Sequence, residues 1–159
     1  MFATIIAPLD GSVEAEQRFL QALTQLQPCE ATLVLLTVIP RPEPIDADGH
    51  TRGGPVPLVC VFRTSEIEQE VQCAQAYLDR LQKRLALGFP VETVVRVGEP
   101  VHQIQVVAHW YPNPLLMVAA GSCRGRALQE SVAQRLTRET DMPALIIPPE
   151  DVPSPQECA

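Results

Sequence analysis

One stretch in the second half of the chain, AAGSCRGRALQESVAQRL at 119–136, combines residue types that could bind a phosphate group. Glycines at Gly121 and Gly125 would let backbone N–H groups approach an anion closely, and Arg124 could pair with phosphate. Ser131 begins a helix-capping pattern, and the N-terminus of a helix favours anions. The stretch therefore predicts either a phosphate-binding loop or a shortened remnant of one.

The same stretch contains a candidate redox residue. Cys123 lies next to Arg124 and just before a predicted helix, and both features favour the thiolate form. The alternative is an ordinary loop cysteine. The chain has five cysteines, with no C-x-x-C pair and no zinc-type spacing, so we expect free thiols in a reducing compartment.

Bulk composition excludes several function classes. The 159 residues carry a formal net charge of −7, which argues against a nucleic-acid-binding protein because such proteins present a basic face. No apolar run approaches the ~20 residues of a membrane helix, and the start lacks the basic and apolar regions of a signal peptide. We therefore expect a cytoplasmic protein without membrane insertion.

The sequence lacks the common patterns of catalytic and metal sites. Neither the nucleophile pattern G-x-S-x-G nor the nucleotide-binding pattern G-x-x-x-x-G-K-[ST] occurs. His102 and His109 lie two turns apart on a predicted helix, too far apart to share one metal ion. The sequence predicts no catalytic residues and no metal site, so we do not expect an enzyme, although weak ATP hydrolysis stays open.

Five apolar segments have the composition of buried β-strands. They are Phe2–Leu9, Ala31–Ile39, Val91–Val97, Leu115–Ala120 and Pro143–Pro148. Amphipathic segments lie between them, and this alternation gives a parallel sheet with helices on both faces. Ligands of such sheets bind at the carboxyl ends of the strands, where both Asp10 and Gly121 lie.

Each of the four predicted helices begins at a recognisable signal. The second helix runs to about Ala86, which makes it about 30 Å long at a rise of 1.5 Å per residue. The start signals, in chain order, are Ser12, Ser65 with Glu68, Pro100, and Ser131 with Gln134.

Proline and glycine mark the irregular segments. Residues 40–57 predict a loop, and Leu58–Phe62 predicts either a short extra strand or packed loop. The acidic, proline-rich residues 150–159 predict a flexible tail after one domain over 1–149.

Four features in this order resemble the universal stress protein family: IIAPLDGS, LVLLTVI, VRVGEPVHQI, and AAGS followed by SVAQRL and DMPALIIP. They span nearly the whole chain. The resemblance implies an α/β fold, a single-domain open parallel five-stranded sheet of order 3-2-1-4-5 with helices on both faces. It also implies a homodimer formed through the last strand, with the interface residues Ala144, Leu145, Ile146 and Ile147.

Many members of that family bind ATP, and others do not. Here the candidate nucleotide-binding residues are Pro8, Asp10, Val38, Gly121, Arg124, Gly125 and Ser131. The resemblance implies that Asp10 contacts the nucleoside and that Val38 lies near the adenine ring. Asp10 has an alternative role as a turn residue whose carboxylate accepts backbone hydrogen bonds.

The loop departs from the pattern of the ATP-binding members. That pattern is G-x-x-G, nine further residues, and then G-[ST]. Here three residues rather than two separate Gly121 from Gly125, and Glu130 occupies the position of the glycine before Ser131. Ser131 also lies about four residues closer to Gly121 than in the pattern. The shorter loop has fewer backbone N–H donors. Glu130 adds a like charge, which at 4 Å costs about 1 kcal/mol in water and about 4 kcal/mol near a protein surface. We expect the purified protein to retain no ATP, while a smaller adenine ligand stays open.

Three functional interpretations follow. The leading one is a small regulatory protein with a degenerate nucleotide crevice, which acts through an unknown protein partner or a small adenine ligand. The second is an ATP-binding member in which the nucleotide switches the loop. The third is a thiol redox sensor that uses Cys123.

Overall fold

The computed structural model describes residues 2–26, 30–40, 59–85, 90–120 and 132–148. Within these residues the chain alternates strands and helices, as the sequence predicts. In chain order the elements are β1 (Thr4–Pro8), α1 (Val13–Leu26), β2 (Thr32–Ile39), α2 (Val59–Leu85), β3 (Val91–Val97), α3 (Pro100–Ala108), β4 (Pro114–Ala119), α4 (Val132–Glu139) and β5 (Ala144–Ile147).

The five strands form one parallel sheet of order β3-β2-β1-β4-β5, which confirms the order implied by the resemblance. β1 is the central strand, and its Ile6 lies between Val34 of β2 and Leu116 of β4. The side chains of all three are fully buried. This explains the apolar runs in the sequence, because a strand covered on both faces has no solvent-facing positions.

Alternate residues of the strands face two separate hydrophobic cores. α1 and α2 cover one face with Phe19, Leu23, Leu78 and Leu81, which pack with Ile5, Leu33 and Leu35 of the sheet. α3 and α4 cover the other face with Val101, Ile104, Val107 and Leu136, which pack with Ile6, Leu36 and Val118. The sheet is therefore sandwiched between two helical layers.

The start of α2 corrects the sequence-based prediction. The helix begins at Val59 rather than at Ser65, so the prediction of a strand or packed loop over Leu58–Phe62 is wrong from Val59 onward. Extending an existing helix costs far less than starting one, and no proline or glycine lies between Val59 and Ser65 to stop the extension. With 27 residues, α2 is about 40 Å long rather than 30 Å.

Several expectations fall outside the described part of the chain. The loop predicted over 40–57, apart from Pro40, and the tail predicted over 150–159 both lie there. Among the helices that are described, none is long and apolar enough to cross a bilayer.

Candidate functional site

A crevice of about 740 Å³ opens at the carboxyl ends of β1, β2 and β4. Residues 8–11 follow β1, residues 37–40 end β2, and Val118 and Ala119 end β4. β2 lies on one side of the central strand β1, and β4 lies on the other side. The direction in which strands are added to the sheet therefore reverses at β1. Open α/β sheets bind ligands at such a reversal.

Asp10 holds the turn that follows β1. Its Oδ1 accepts a hydrogen bond from the Ser12 N–H at 2.9 Å, and Ser12 Oγ accepts one from the Ala15 N–H at 3.3 Å, which caps α1. Gly11 between them has φ +82°, a conformation that favours glycine. The Asp10 side chain is exposed and lines the crevice. The turn role occupies Oδ1 and is compatible with a ligand contact at Oδ2.

β2 extends past the end of β1 at the crevice. The two strands pair up to Pro8 and Leu36, and the Leu9 N–H donates to Leu36 O at 2.7 Å. Residues 37–39 continue to pair with β3 on the other side. Backbone groups alternate in direction along a strand, so the N–H and C=O of Val38 point the same way as those of Leu36. They face the side on which β1 has ended, which places a donor and an acceptor at the crevice.

The α2 side of the crevice carries polar side chains. Tyr77 lies there, and its hydroxyl donates to Glu16 Oε2 at 3.0 Å, while Glu16 Oε1 accepts from Arg84 Nη1 at 2.7 Å. Burial and the hydrogen bond to Glu16 raise the pKa of Tyr77 above its ordinary value, so the phenol stays protonated. The polar residues of the α2 side of the crevice are Thr37, Glu70, Cys73, Tyr77 and Arg80.

The α3/α4 side of the crevice is apolar. It is formed by Pro100, Ile104, Val118, Val132 and Ala133. Ile104 and Ala133 are buried, at 2% and 4% exposure, because the same side chains also belong to the core under α3 and α4. This side offers a smooth apolar surface on which a flat ring could pack.

Glu99 links the first turn of α3 to α4. Its carboxylate accepts from the His102 N–H at 2.8 Å, which caps α3, and from Arg135 Nη1 at 2.6 Å. Arg135 also pairs with Glu139 at 3.2 Å. Burial opposes ionisation of Glu99, but the bonds from His102 and Arg135 outweigh it and hold the pKa of this carboxyl below its ordinary value.

The structure brings together three of the seven candidate nucleotide-binding residues: Pro8, Asp10 and Val38 line the crevice. The other four, Gly121, Arg124, Gly125 and Ser131, lie outside the described residues, and so does Cys123. The four candidate interface residues, Ala144, Leu145, Ile146 and Ile147, form β5 at one edge of the sheet and do not line the crevice.

Sequence reasoning missed three residues at or beside the crevice. Thr37 interrupts the apolar run of β2 near its end, which was the available signal. Arg18 occupies a core-facing position of α1, is buried to 8% exposure, and donates from Nη1 to the carbonyl of Ala120 at 2.6 Å. It therefore anchors the last residue before Gly121. Tyr77 gave no signal, because a tyrosine on an amphipathic helix is usually a packing residue.

The described residues give no sign of a metal centre. No group of three or more His, Cys, Asp or Glu side chains in that part of the chain could hold a metal ion. His102 on α3 and His109, which is the C-cap residue after this helix, are both exposed.

Comparison with known proteins supports the fold. The family described as the universal stress protein family matches residues 1–148, whereas no curated protein matches the chain. The universal stress protein UspA from Lactobacillus plantarum is 20% identical, with a TM-score of 0.71 over 92% of this chain and 99% of that one. The hypothetical protein MJ0577 is 18% identical, with a TM-score of 0.66 over 95% and 99%.

A further structure is described as a universal stress protein in complex with cAMP. It is 18% identical, with a TM-score of 0.55 over 94% of this chain and 98% of that one. At these identities the neighbours establish the shared fold, and the family match covers nearly the whole sequence. The chain belongs to the universal stress protein family.

Proposed function

We propose that this chain is a regulatory protein, not an enzyme, whose crevice binds a small adenine nucleoside or nucleotide. The observation that carries the proposal is the end of β2, where the N–H and C=O of Val38 face the crevice beyond the end of β1. Adenine presents an amino donor beside a ring-nitrogen acceptor. The C=O of Val38 can accept from the amino group, and the N–H of Val38 can donate to the ring nitrogen.

The surroundings of Val38 fit the rest of a nucleoside. The α3/α4 side of the crevice supplies the apolar surface for the ring, and Ile104 and Ala133 are held in place by the core beneath them. Asp10 lines the crevice with its Oδ1 bound to the Ser12 N–H, which leaves Oδ2 to accept from a ribose hydroxyl. A hydrogen bond to a charged group such as a carboxylate contributes about 1.5–3 kcal/mol in total.

The number of phosphate groups that the ligand can carry depends on the sequence of residues 121–131. The shortened Gly121–Ser131 loop and Glu130 disfavour three phosphates, so we expect the ligand to carry one phosphate or none. The neighbour described in complex with cAMP, a ligand with one phosphate, is consistent with this expectation. In the second interpretation ATP binds and switches the loop, and direct binding measurements separate the two.

Titration calorimetry with adenosine, AMP, cAMP and ATP tests the proposal, together with mass spectrometry of the protein as purified. We expect AMP or cAMP to bind at least as tightly as ATP, and no ATP to copurify. Asp10→Asn keeps the turn bond through its amide oxygen but removes the charge, so it should weaken binding about tenfold with little loss of stability. Asp10→Ala should also destabilise the turn.

Two outcomes would overturn the proposal. If none of the four adenine ligands bound the wild-type protein, the crevice would have another use. Stoichiometric ATP in the purified protein would replace this proposal with the ATP-switched interpretation. The Cys123 interpretation stays a prediction, and a reaction rate with a thiol reagent no faster than that of free cysteine would remove it.

We also propose that the chain forms a homodimer through β5 and acts in the cytoplasm on a protein partner. Among the described strands β5 pairs with β4 alone, and Leu145 on it is 36% exposed. An open strand edge with an exposed leucine favours pairing with another chain. Leu145→Lys should convert a dimer into a monomer in sedimentation experiments. A wild-type monomer at micromolar concentration would rule out the dimer.

A further inference from the structure

Two threonines on the same face of the sheet differ in one respect. Leu35 pairs with Thr93 and Thr37 pairs with Val95, so Thr37 and Thr93 both face the layer of α1 and α2. Thr93 Oγ1 accepts a hydrogen bond from Gln75 Nε2 of α2 at 3.1 Å. Thr37 Oγ1 is buried, but it has no hydrogen-bond partner in the part of the chain that the structure describes.

An unpartnered buried hydroxyl destabilises a folded protein, because the group has lost its bonds to water and gained none. Valine has the same branched shape without the hydroxyl and is equally suited to a strand. Thr37 is therefore a poor choice for stability alone. Residues that lower stability in this way concentrate at functional sites.

The position of Thr37 suggests that its hydroxyl, although it lowers stability, contributes to ligand binding. It lines the crevice next to Val38, and Cys73, Ala74 and Tyr77 of α2 line the same side. The Tyr77 hydroxyl already donates to Glu16, so it is occupied within the fold. The Thr37 hydroxyl can both donate and accept, which suits an amine or hydroxyl group of a ligand.

We propose that Thr37 is a specificity residue of the crevice, whose Oγ1 bonds to a neutral polar group of the nucleoside on the α2 side of the Val38 edge. The inference rests on the proposed function and adds a side-chain contact to the main-chain contacts of Val38. Thr37 is the chain neighbour of Val38, whose main chain is proposed to bind the adenine edge. The contact is therefore to the nucleoside and not to its phosphate.

The test compares Thr37→Val with the matched control Thr93→Val, and uses adenosine and AMP as probes. Thr37→Val should leave the thermal midpoint of the ligand-free protein unchanged or raise it. It should weaken the binding of adenosine and AMP by the same factor, about tenfold. Thr93→Val should lower the midpoint, because it removes the Thr93 Oγ1 acceptor of Gln75 Nε2 and leaves only Asp79 Oδ1. It should leave both dissociation constants unchanged.

Thr37→Ser retains the hydroxyl and provides a second variant. It should bind adenosine within about threefold of the wild-type protein, a loss well below that expected for removing a hydrogen bond. If Thr37→Val bound both probes as well as the wild type, the inference alone would fail. A loss for AMP without a loss for adenosine would place the contact at the phosphate and would also contradict it.

Stability supplies an independent check. If Thr37→Val lowered the thermal midpoint as much as Thr93→Val does, the hydroxyl would be a structural hydrogen-bonding group and the inference would be wrong. If the wild-type protein bound neither probe, the proposed function would fail and this inference would fail with it.

Discussion

The two sides of the crevice are built from different chemistry. The α3/α4 side presents Ile104, Val118 and Ala133, which are apolar and shared with the core beneath them. The α2 side presents polar side chains such as Thr37, Cys73 and Tyr77. An apolar surface accepts many flat rings about equally, whereas a hydrogen bond rejects ligands that lack the partner group. We infer that affinity comes mainly from the first side and selectivity from the second.

The two sides are also held by different contacts. On the α2 side, Glu16 of α1 binds both Tyr77 and Arg84 of α2. On the α3/α4 side, Arg135 of α4 binds Glu99 at the start of α3. In each case a carboxylate ties two helices of one layer together. Variants that weaken one side at a time can therefore separate their contributions.

The largest expected effect on stability comes from the buried leucines that pack the helices of the two sides against the sheet. Leu78 of α2 and Leu136 of α4 are both fully buried, one in each core. Leu78→Ala and Leu136→Ala should each lower the free energy of unfolding by about 2–5 kcal/mol, because each removes buried methyl groups and leaves a cavity. Urea unfolding followed by circular dichroism measures this change.

Val132→Ala is the control for the leucine variants. Val132 is 37% exposed at the start of α4, so its truncation should change the free energy of unfolding by about 0.5 kcal/mol or less. A loss below about 1 kcal/mol for only one of the two leucines would mean that its helix is not packed against the sheet as described.

The second effect concerns the two tyrosines, which pack against the cores on opposite faces of the sheet. Tyr111 donates to Glu92 at 2.7 Å, and burial together with this bond raises the pKa of Tyr111 to about 12. The pKa of Tyr77 is raised for the same two kinds of reason. The chain has no other tyrosine, so absorbance at 295 nm should show no ionisation step near pH 10 in the folded protein.

The sign of the linked stability follows from these upward shifts. The folded state holds both phenol protons more tightly than the unfolded chain does. This stabilisation is complete below about pH 10 and is lost as the pH rises through the folded-state values. Tyr77→Phe removes the hydrogen bond to Glu16 and should lower the free energy of unfolding at pH 7 by about 1 kcal/mol. Tyr111→Phe, which removes the bond to Glu92, is the matched variant for comparison. A step near pH 10 that vanishes in Tyr77→Phe would show that the Tyr77 hydroxyl is not bound to Glu16.

The smallest expected effect is at Glu99, which joins α3 to α4. Glu99→Gln keeps an oxygen to cap α3 but loses the charge that faces Arg135, and Glu99 is 47% exposed, so we expect a loss of about 0.5 kcal/mol at pH 7. The pKa of Glu99 is held below its ordinary value, so its stabilisation is lost as the pH falls through that lowered value. Urea unfolding from pH 7 downward should show the difference shrinking as the Glu99 carboxylate takes up its proton. A difference that stayed constant while the pH fell would point to the cap rather than the charge.

The strands and most helix bounds could be predicted from the sequence because the signals are local. β1 and β2 are apolar runs, and Ser12 is the capping residue of α1 that the sequence predicts. The start of α2 could not be predicted in this way. The segment from Val59 is apolar and suits a strand or a helix equally, and its helical state depends on joining a helix already formed.

The residues of the candidate site also fall into two groups, those that could be predicted from the sequence and those that could not. Asp10 and Val38 were predicted because the resemblance to the family implies that they contact the nucleoside, and both line the crevice. Arg18 and Thr37 were missed, since their roles depend on atoms far away in the chain. The Arg18 guanidinium binds the Ala120 carbonyl, 102 residues later. The significance of Thr37 is that Thr93 on the same face has a hydrogen-bond partner, whereas Thr37 Oγ1 has none among the described residues.

The sequence by itself determined the alternation of strands and helices, which follows from apolar periodicity and turn residues that act over a few positions. It also determined the family, through the resemblance of four short motifs in their order along the chain. Only the tertiary structure decided which side of the crevice is apolar, which hydroxyls have partners, and where β2 extends past β1. Those properties depend on register and packing between segments far apart in the chain, and no local pattern of residues specifies them.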